Sequence, residues 1–224
     1  MAVVKPPESP HAESVSPRRR KQALRERLRS QRRGFPAERI RAGRLHLARV
    51  AATAPPVVGA RTLVGYLACD GEPDVSGILE EARLRGVAVL LPRQRPVDGG
   101  LDLVALADPG EPALRPGRGG VREPEGPTAL PGTLSVPVVV LAPAVALDRR
   151  GTRLGRGGGA YDRLFAAQRG AGWTFVGVCH PEHVLGDLPL EAHDQPVDAI
   201  LTEDGFHPVR RAGAAPDGGN GPAC

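Results

Sequence analysis

Val136-Pro-Val-Val-Val-Leu141, followed closely by Gly151-Thr-Arg-Leu-Gly-Arg-Gly-Gly-Gly-Ala-Tyr-Asp-Arg163, is the stretch whose reading decides the fold. The first run is almost continuously apolar and β-branched, as expected of a parallel strand buried on both faces. The second is rich in glycine and leads into a helical pattern. Ligands of open α/β sheets gather at the carboxyl ends of strands, and this junction sits at such an end. Gly155, Gly157, Gly158 and Gly159 remove side chains and permit positive φ, so successive backbone N–H groups can converge on an anion. Arg153 and Arg156 add charge-assisted donors, and Asp162 lies one turn into the helix, where a carboxylate can hold a metal shared with phosphate. A Gly-rich strand-to-helix turn that binds nothing is the competing reading. The loop lacks the Gly-Lys-Ser/Thr ending of a P-loop and falls too late in the chain for a first-turn dinucleotide fingerprint.

Outward from this centre, strand and helix patterns alternate. Apolar spacing predicts a helix from Pro17 to Arg33 on Ala23, Leu24 and Leu28, and a second from about Pro36 to Ala52 on Ile40, Leu45, Leu47 and Val50, ended by Ala54-Pro-Pro. Thr62–Leu67 reads as a strand, Val75–Arg85 as a helix, Val87–Leu91 and Leu101–Ala107 as strands, and Trp173–Cys179 and Val197–Thr202 as later strands. Asp108–Leu134 has little periodicity, and a loop of that length inside a compact domain points to function or mobility. The expectation is one α/β domain over 17–207, with a mainly parallel central sheet flanked by helices. Residues 1–16 read as a disordered N-terminal segment and residues 208–224, rich in Ala, Gly and Pro, as a flexible C-terminal tail.

A chain of 224 residues with 41% apolar content can build one sizeable core, and with only 3% aromatics that core must rest on Val, Leu, Ile and Ala. No apolar run approaches the roughly 20 residues that span a bilayer, and the N-terminus lacks a signal-like pattern, so the expected location is the cytoplasm. Cys69, Cys179 and Cys224 have no metal-ligand spacing and read as free thiols. Among the histidines only His180-x-x-His183 has a regular spacing, which alone is a weak zinc signal.

The net charge of +5 raises a nucleic-acid reading through Arg18-Arg19-Arg20-Lys21 and Arg32-Arg33. No aromatics interleave with those cations to stack bases, which weighs against it. An anionic nucleotide would favour the same basic surface.

The apolar strand, the Leu-Asp-Arg-Arg-Gly of residues 147–151, the Arg-Leu-Gly-Arg-Gly-Gly-Gly of residues 153–159 and the Tyr-Asp of residues 161–162 together closely resemble the 5-formyltetrahydrofolate cyclo-ligase family, over about residues 17 to 204. Ala160 stands where the family usually has an aromatic residue. The resemblance implies a three-layer fold of the NagB/RpiA/CoA-transferase-like kind and ATP- and magnesium-dependent closure of 5-formyltetrahydrofolate to 5,10-methenyltetrahydrofolate, with release of ADP and phosphate. In that chemistry the formyl oxygen, a poor leaving group, takes the γ-phosphoryl, N10 closes the ring and phosphate departs. No protein nucleophile is required, and phosphoryl transfer asks mainly for positioning and charge neutralisation.

Carried over residue by residue, the resemblance gives Lys21 and Arg25, Arg153, Leu154, Gly155, Arg156, Gly157, Gly158, Gly159, Ala160 and Tyr161 to ATP, with Arg156 and Asp162 as the catalytic pair. Asp162 and Asp194 are assigned to magnesium. Tyr161 and the Gly-Glu-Pro-Asp of residues 71–74 go to the folate, with the choice between Glu72 and Asp74 left open, because Pro73 and Val75 depart from the family pattern; Asp74 could equally cap the next helix. The implied partners are ATP and 5-formyltetrahydrofolate, whose tail can be polyglutamylated, and the expected state is a monomer with neither nucleic acid nor membrane bound. Two alternatives stand beside this one: a nucleic-acid-binding protein using the basic first helix, and a folate-binding relative without catalysis, suggested by Ala160 and Val75.

Overall fold

The computed structural model describes residues 16–106, 113–117 and 121–210. The expectations for residues 1–15 and 211–224, and part of that for 108–134, lie outside the described residues. Helix α1 (Pro17–Arg33) begins where expected, with Pro17 in its first turn and the Ser16 hydroxyl accepting from the Arg19 amide. Helix α2 (Ala37–Ala51) follows, then the single turn α3 (Pro55–Val58). Strand β1 (Thr62–Val64), helix α4 (Ser76–Leu84), strand β2 (Ala88–Gln94) and strand β3 (Leu101–Ala105) continue the alternation. Strand β1 is shorter than the sequence suggests: the apolar run goes on to Leu67, but Tyr66 turns into the interior, where its hydroxyl donates to the Pro73 carbonyl.

The aperiodic stretch after β3 is not structureless. It contains β4 (Leu114–Pro116) and β5 (Arg122–Pro124), paired as an antiparallel ribbon, and β6 (Thr128–Ala129) on the edge of the main sheet. Each is too short to show a period of two. Strand β7 (Val138–Pro143) follows a cis Val136–Pro137 bond. Strands β8 (Ala146–Asp148) and β9 (Arg153–Leu154) then lead to helix α5 (Ala160–Gln168), strand β10 (Trp173–Val178), strand β11 (Val184–Leu185), strand β12 (Ala199–Thr202) and strand β13 (Gly205–Pro208).

The main sheet is eight-stranded in the order β13-β12-β10-β7-β1-β2-β3-β6. Strands β12, β10, β7, β1 and β2 run parallel at its centre, and the antiparallel partners β13, β3 and β6 complete its edges. A small second sheet, β11-β8-β9, lies beyond the end of β7. Alternation along β7 shows how its run is used. Val139 and Leu141 join the cluster under α2, α3 and α4, while Val138, Val140 and Ala142 join the opposite cluster with Phe165 of α5. All five are fully buried. Layers of helices on both faces and a mostly parallel centre match the fold class expected from the sequence.

Candidate active site

A cavity of about 670 Å³ opens where β1, β2 and β7 end, and Tyr66, Gln94 and Pro143 from those strand ends line it. The Gly loop closes one side and α1 crosses another. Gly159 caps α5 with φ +66, and Gly157 has φ +102, so both positions need a residue without Cβ. An added Cβ on Gly157 would stand 3.4 Å from the Arg25 guanidinium carbon, in van der Waals contact with it. Arg25 reaches across from α1 and donates from Nε to the Gly155 carbonyl at 2.8 Å. Burial lowers its pKa against the pull of Glu191 and Asp194, as befits a cation drawn into a cleft.

Arg153 is buried and donates to the Pro143 carbonyl at 3.3 Å and to Asp162 Oδ2 at 3.0 Å, with its guanidinium over the rings of Tyr161 and Phe165. Asp162 Oδ1 also accepts from the Gln195 amide at 3.3 Å. Lys21 is only 3% exposed, and its Nζ sits 2.7 Å from Glu191 Oε2 and 2.5 Å from Asp194 Oδ2. Lys21 and Arg25, four residues apart on one helical face, therefore both enter the cavity, as their spacing implies.

Opposite the Gly loop, Glu72 is 4% exposed. Its Oε2 accepts from the Cys69 amide and thiol, at 3.3 and 3.4 Å, while Oε1 lies 3.9 Å from Arg156. Arg156 also pairs with Asp70 and contacts the Cys69 sulfur, so it bridges the Gly loop and the turn that carries Glu72. Burial raises the Glu72 pKa, opposed by Arg32 and Arg156. Burial, then Glu72, pushes the Cys69 thiol up to about 11, so it is not a poised nucleophile.

The sequence candidates are not all brought together. Arg153, Gly155 to Asp162, Lys21, Arg25, Glu72 and Asp194 line the cavity. Leu154 does not: it points into the apolar cluster with Leu28 of α1, Val145 and Leu188. Asp74 is also outside the lining; its Oδ1 accepts from the Ser76 amide two residues on, a local turn just before α4, whose N-cap is Val75 with no side-chain cap. Asp194 falls beside Glu191 and His193, with ligand atoms within 4.8 Å of one another, whereas Asp162 is not in that group and is ion-paired to Arg153. Sequence reasoning passed over Glu191, although Glu-x-x-Asp over 191–194 is a visible pairing. It also passed over Gln94 and Glu123, the second of which lies in the aperiodic stretch where no pattern marked it.

Fold and site define the class: an α/β enzyme with a cationic cavity at the carboxyl edge of a parallel sheet and buried carboxylates on its walls. The sequence pattern of the 5-formyltetrahydrofolate cyclo-ligase family matches residues 17–203. The chain is 33% identical over 189 residues to the 5-formyltetrahydrofolate cyclo-ligase of Mycolicibacterium smegmatis, covering 84% of this chain and 95% of that protein. It is 35% identical over 150 residues to the Escherichia coli K12 protein of that name, covering 67% and 82%. Among solved structures, the 5,10-methenyltetrahydrofolate synthetase of Aquifex aeolicus superposes with a TM-score of 0.70 at 27% identity, over 89% of this chain and 98% of that one. A Mycoplasma pneumoniae protein of the same name, at 19% identity and a TM-score of 0.63, shares the fold. The chain belongs to the 5-formyltetrahydrofolate cyclo-ligase family and is a ligase.

Proposed function

We propose that this protein couples ATP to the cyclisation of 5-formyltetrahydrofolate, yielding 5,10-methenyltetrahydrofolate, ADP and phosphate. The observation that carries this reading is the facing of two chemically different walls across one cavity. One wall is the Gly155–Gly159 loop with Arg25, Arg153 and Arg156, suited to phosphate. The other is Glu72, a buried carboxylate able to accept adjacent N–H donors of a pterin. The formyl oxygen would attack the γ-phosphorus and ADP would leave. N10 then attacks the activated formyl carbon, and loss of its proton and of phosphate closes the ring. The chain's cations balance charge on the transferring group, and the cavity holds the reactants in reach of one another.

For magnesium, Asp194 and Glu191 offer the oxygen donors a hard cation prefers, and they already stand together against a cation, Lys21 Nζ. These two would hold the ion, which would supply charge neutralisation at the nucleotide phosphates. Asp162, engaged by Arg153 and the Gln195 amide, is assigned to that side of the site as a carboxylate that fixes Arg153. The basic surface around Arg18 also suits a polyglutamylated folate, and the protein is read as cytoplasmic and monomeric. Among the described residues no helix is long and apolar enough to cross a membrane.

An absorbance assay for methenyltetrahydrofolate tests the reading. Product should form only when ATP, magnesium and 5-formyltetrahydrofolate are all present; binding of the folate without turnover would instead identify a non-catalytic relative.

A further inference from the structure

We infer that His180 is a positioning residue that holds the Glu72 carboxylate in place from behind, outside the cavity. The inference rests on Glu72 being the folate-side carboxylate. Glu72 is carried on a turn with two consecutive left-handed residues, Asp70 at φ +51 and Gly71 at φ +69. Asp tolerates the left-handed region better than most L residues but still at some cost, so surroundings that hold the turn stabilise it. It is also pressed against α1: a Cβ on Gly71 would come within 2.9 Å of the Arg32 carbonyl oxygen.

His180 follows β10 and is 3% exposed, outside the cavity lining. Its Nε2 lies 2.9 Å from the Gly71 carbonyl oxygen and its Nδ1 2.7 Å from Glu203 Oε1. A carbonyl can only accept, so Nε2 carries hydrogen. Between Nδ1 and the Glu203 carboxylate one proton is shared, whichever partner formally owns it. Glu203 thus fixes the imidazole so that its other N–H points at the turn, in the manner by which a buried carboxylate orients a histidine. On the far side of Glu72 the Pro73 carbonyl accepts from the Tyr66 hydroxyl at 2.7 Å. The carbonyls flanking Glu72 are therefore each held by a buried side-chain donor, and the carboxylate between them has little freedom to leave its place opposite the Gly loop.

A second tie, Arg29 to Asp70 at 2.7 Å, is about one-third exposed on both sides and belongs to the class of ion pairs that contribute little. That contrast supplies the control. In the full-length protein, His180→Ala should raise the KM for 5-formyltetrahydrofolate roughly tenfold, the cost of a buried hydrogen bond made to a positioned group, while the KM for ATP changes less than about twofold. His180→Gln, whose amide N–H can reach the Gly71 carbonyl, should recover part of the loss. Glu203→Gln, which keeps an acceptor but removes the charge, should show a smaller rise, and Arg29→Ala none.

Hydrogen exchange of the free protein at residues 69–74, where the Glu72 amide bonds to the Cys69 carbonyl, should quicken in His180→Ala without any substrate present. Unchanged exchange overturns the tie itself. Faster exchange with an unchanged folate KM overturns the link to Glu72 and with it the assignment of that residue. Both KM values rising together would mean general damage and would also overturn the inference. Should His180→Ala fail to fold, His180→Gln and Glu203→Gln carry the same comparisons.

Discussion

Two buried titratable side chains give the molecule pH dependences of different kinds. Burial raises the Glu72 pKa above the ordinary 4.5, so on acidification the ionised form is lost sooner than for an exposed carboxylate. If that carboxylate accepts the pterin N–H groups, the KM for the folate should climb as pH falls towards the raised value, beginning above pH 4.5. Glu72→Gln should flatten the profile; an unchanged profile in that variant would assign the limb to another group. His183 acts on stability instead. It is fully buried beside Phe35 and His180, and burial, then the neighbouring His180, lowers its pKa to about 4. The unfolded chain binds the proton near 6.5 and the folded one only near 4, so the folded state loses stability as pH falls from about 6.5 towards 4. The loss by pH 5 is on the order of 2 kcal/mol. Urea midpoints at pH 7 and pH 5 should differ accordingly, and His183→Leu should shrink the difference. None of this was legible from His180-x-x-His183 as a spacing, because a zinc pair and a buried pair look alike until their neighbours are known.

At the level of elements, legibility followed length and periodicity. Strand β7 and helices α1, α2 and α4 were readable because each repeats its apolar period several times. Strands β8, β9 and β11 were not, since two or three residues in a row carry no period and their pairing is set by tertiary contact. The Gly loop was legible as a tight turn from its glycines, while the place of Glu191 and Asp194 beside the cavity, unlike their spacing, became visible only when α1 laid Lys21 between them. The loop supports a direct test. Gly157 at φ +102 faces Arg25, so Gly157→Val both strains the backbone and fills the space against that guanidinium. Its KM for ATP should rise more than about fivefold, in keeping with loss of a charge-assisted contact, with the folate KM much less affected. Equal ATP constants in variant and parent would remove the loop from the nucleotide side.

Across the whole molecule, the net charge of +5 has two readings, and α1 separates them. Lys21 and Arg25 turn into the cavity, whereas Arg19 and Arg20 stay exposed on other faces of the helix. Lys21→Ala with Arg25→Ala should raise the ATP requirement by roughly tenfold or more, as removal of charged hydrogen bonds does, while neutralising Arg19 and Arg20 should change turnover little; Arg18 lines the cavity and is not a neutral control. Attraction for nucleic acid would track the number of cations removed and the salt concentration, not the helical face. Equal effects of both sets on nucleic-acid retention, with cyclisation untouched, would sink the assignment. The reach of Lys21 to Asp194 has a consequence for biosynthesis. The two partners are 173 residues apart in the chain, so this contact of α1 waits for almost the whole domain to be made, although Arg29 can meet Asp70 much earlier. A lone helix of this length is marginal in water, and its dense positive charge gives it little reason to collapse early. The docking of α1 at the cavity is thus completed late, and a nascent chain halted before residue 191 would lack both carboxylates that meet Lys21.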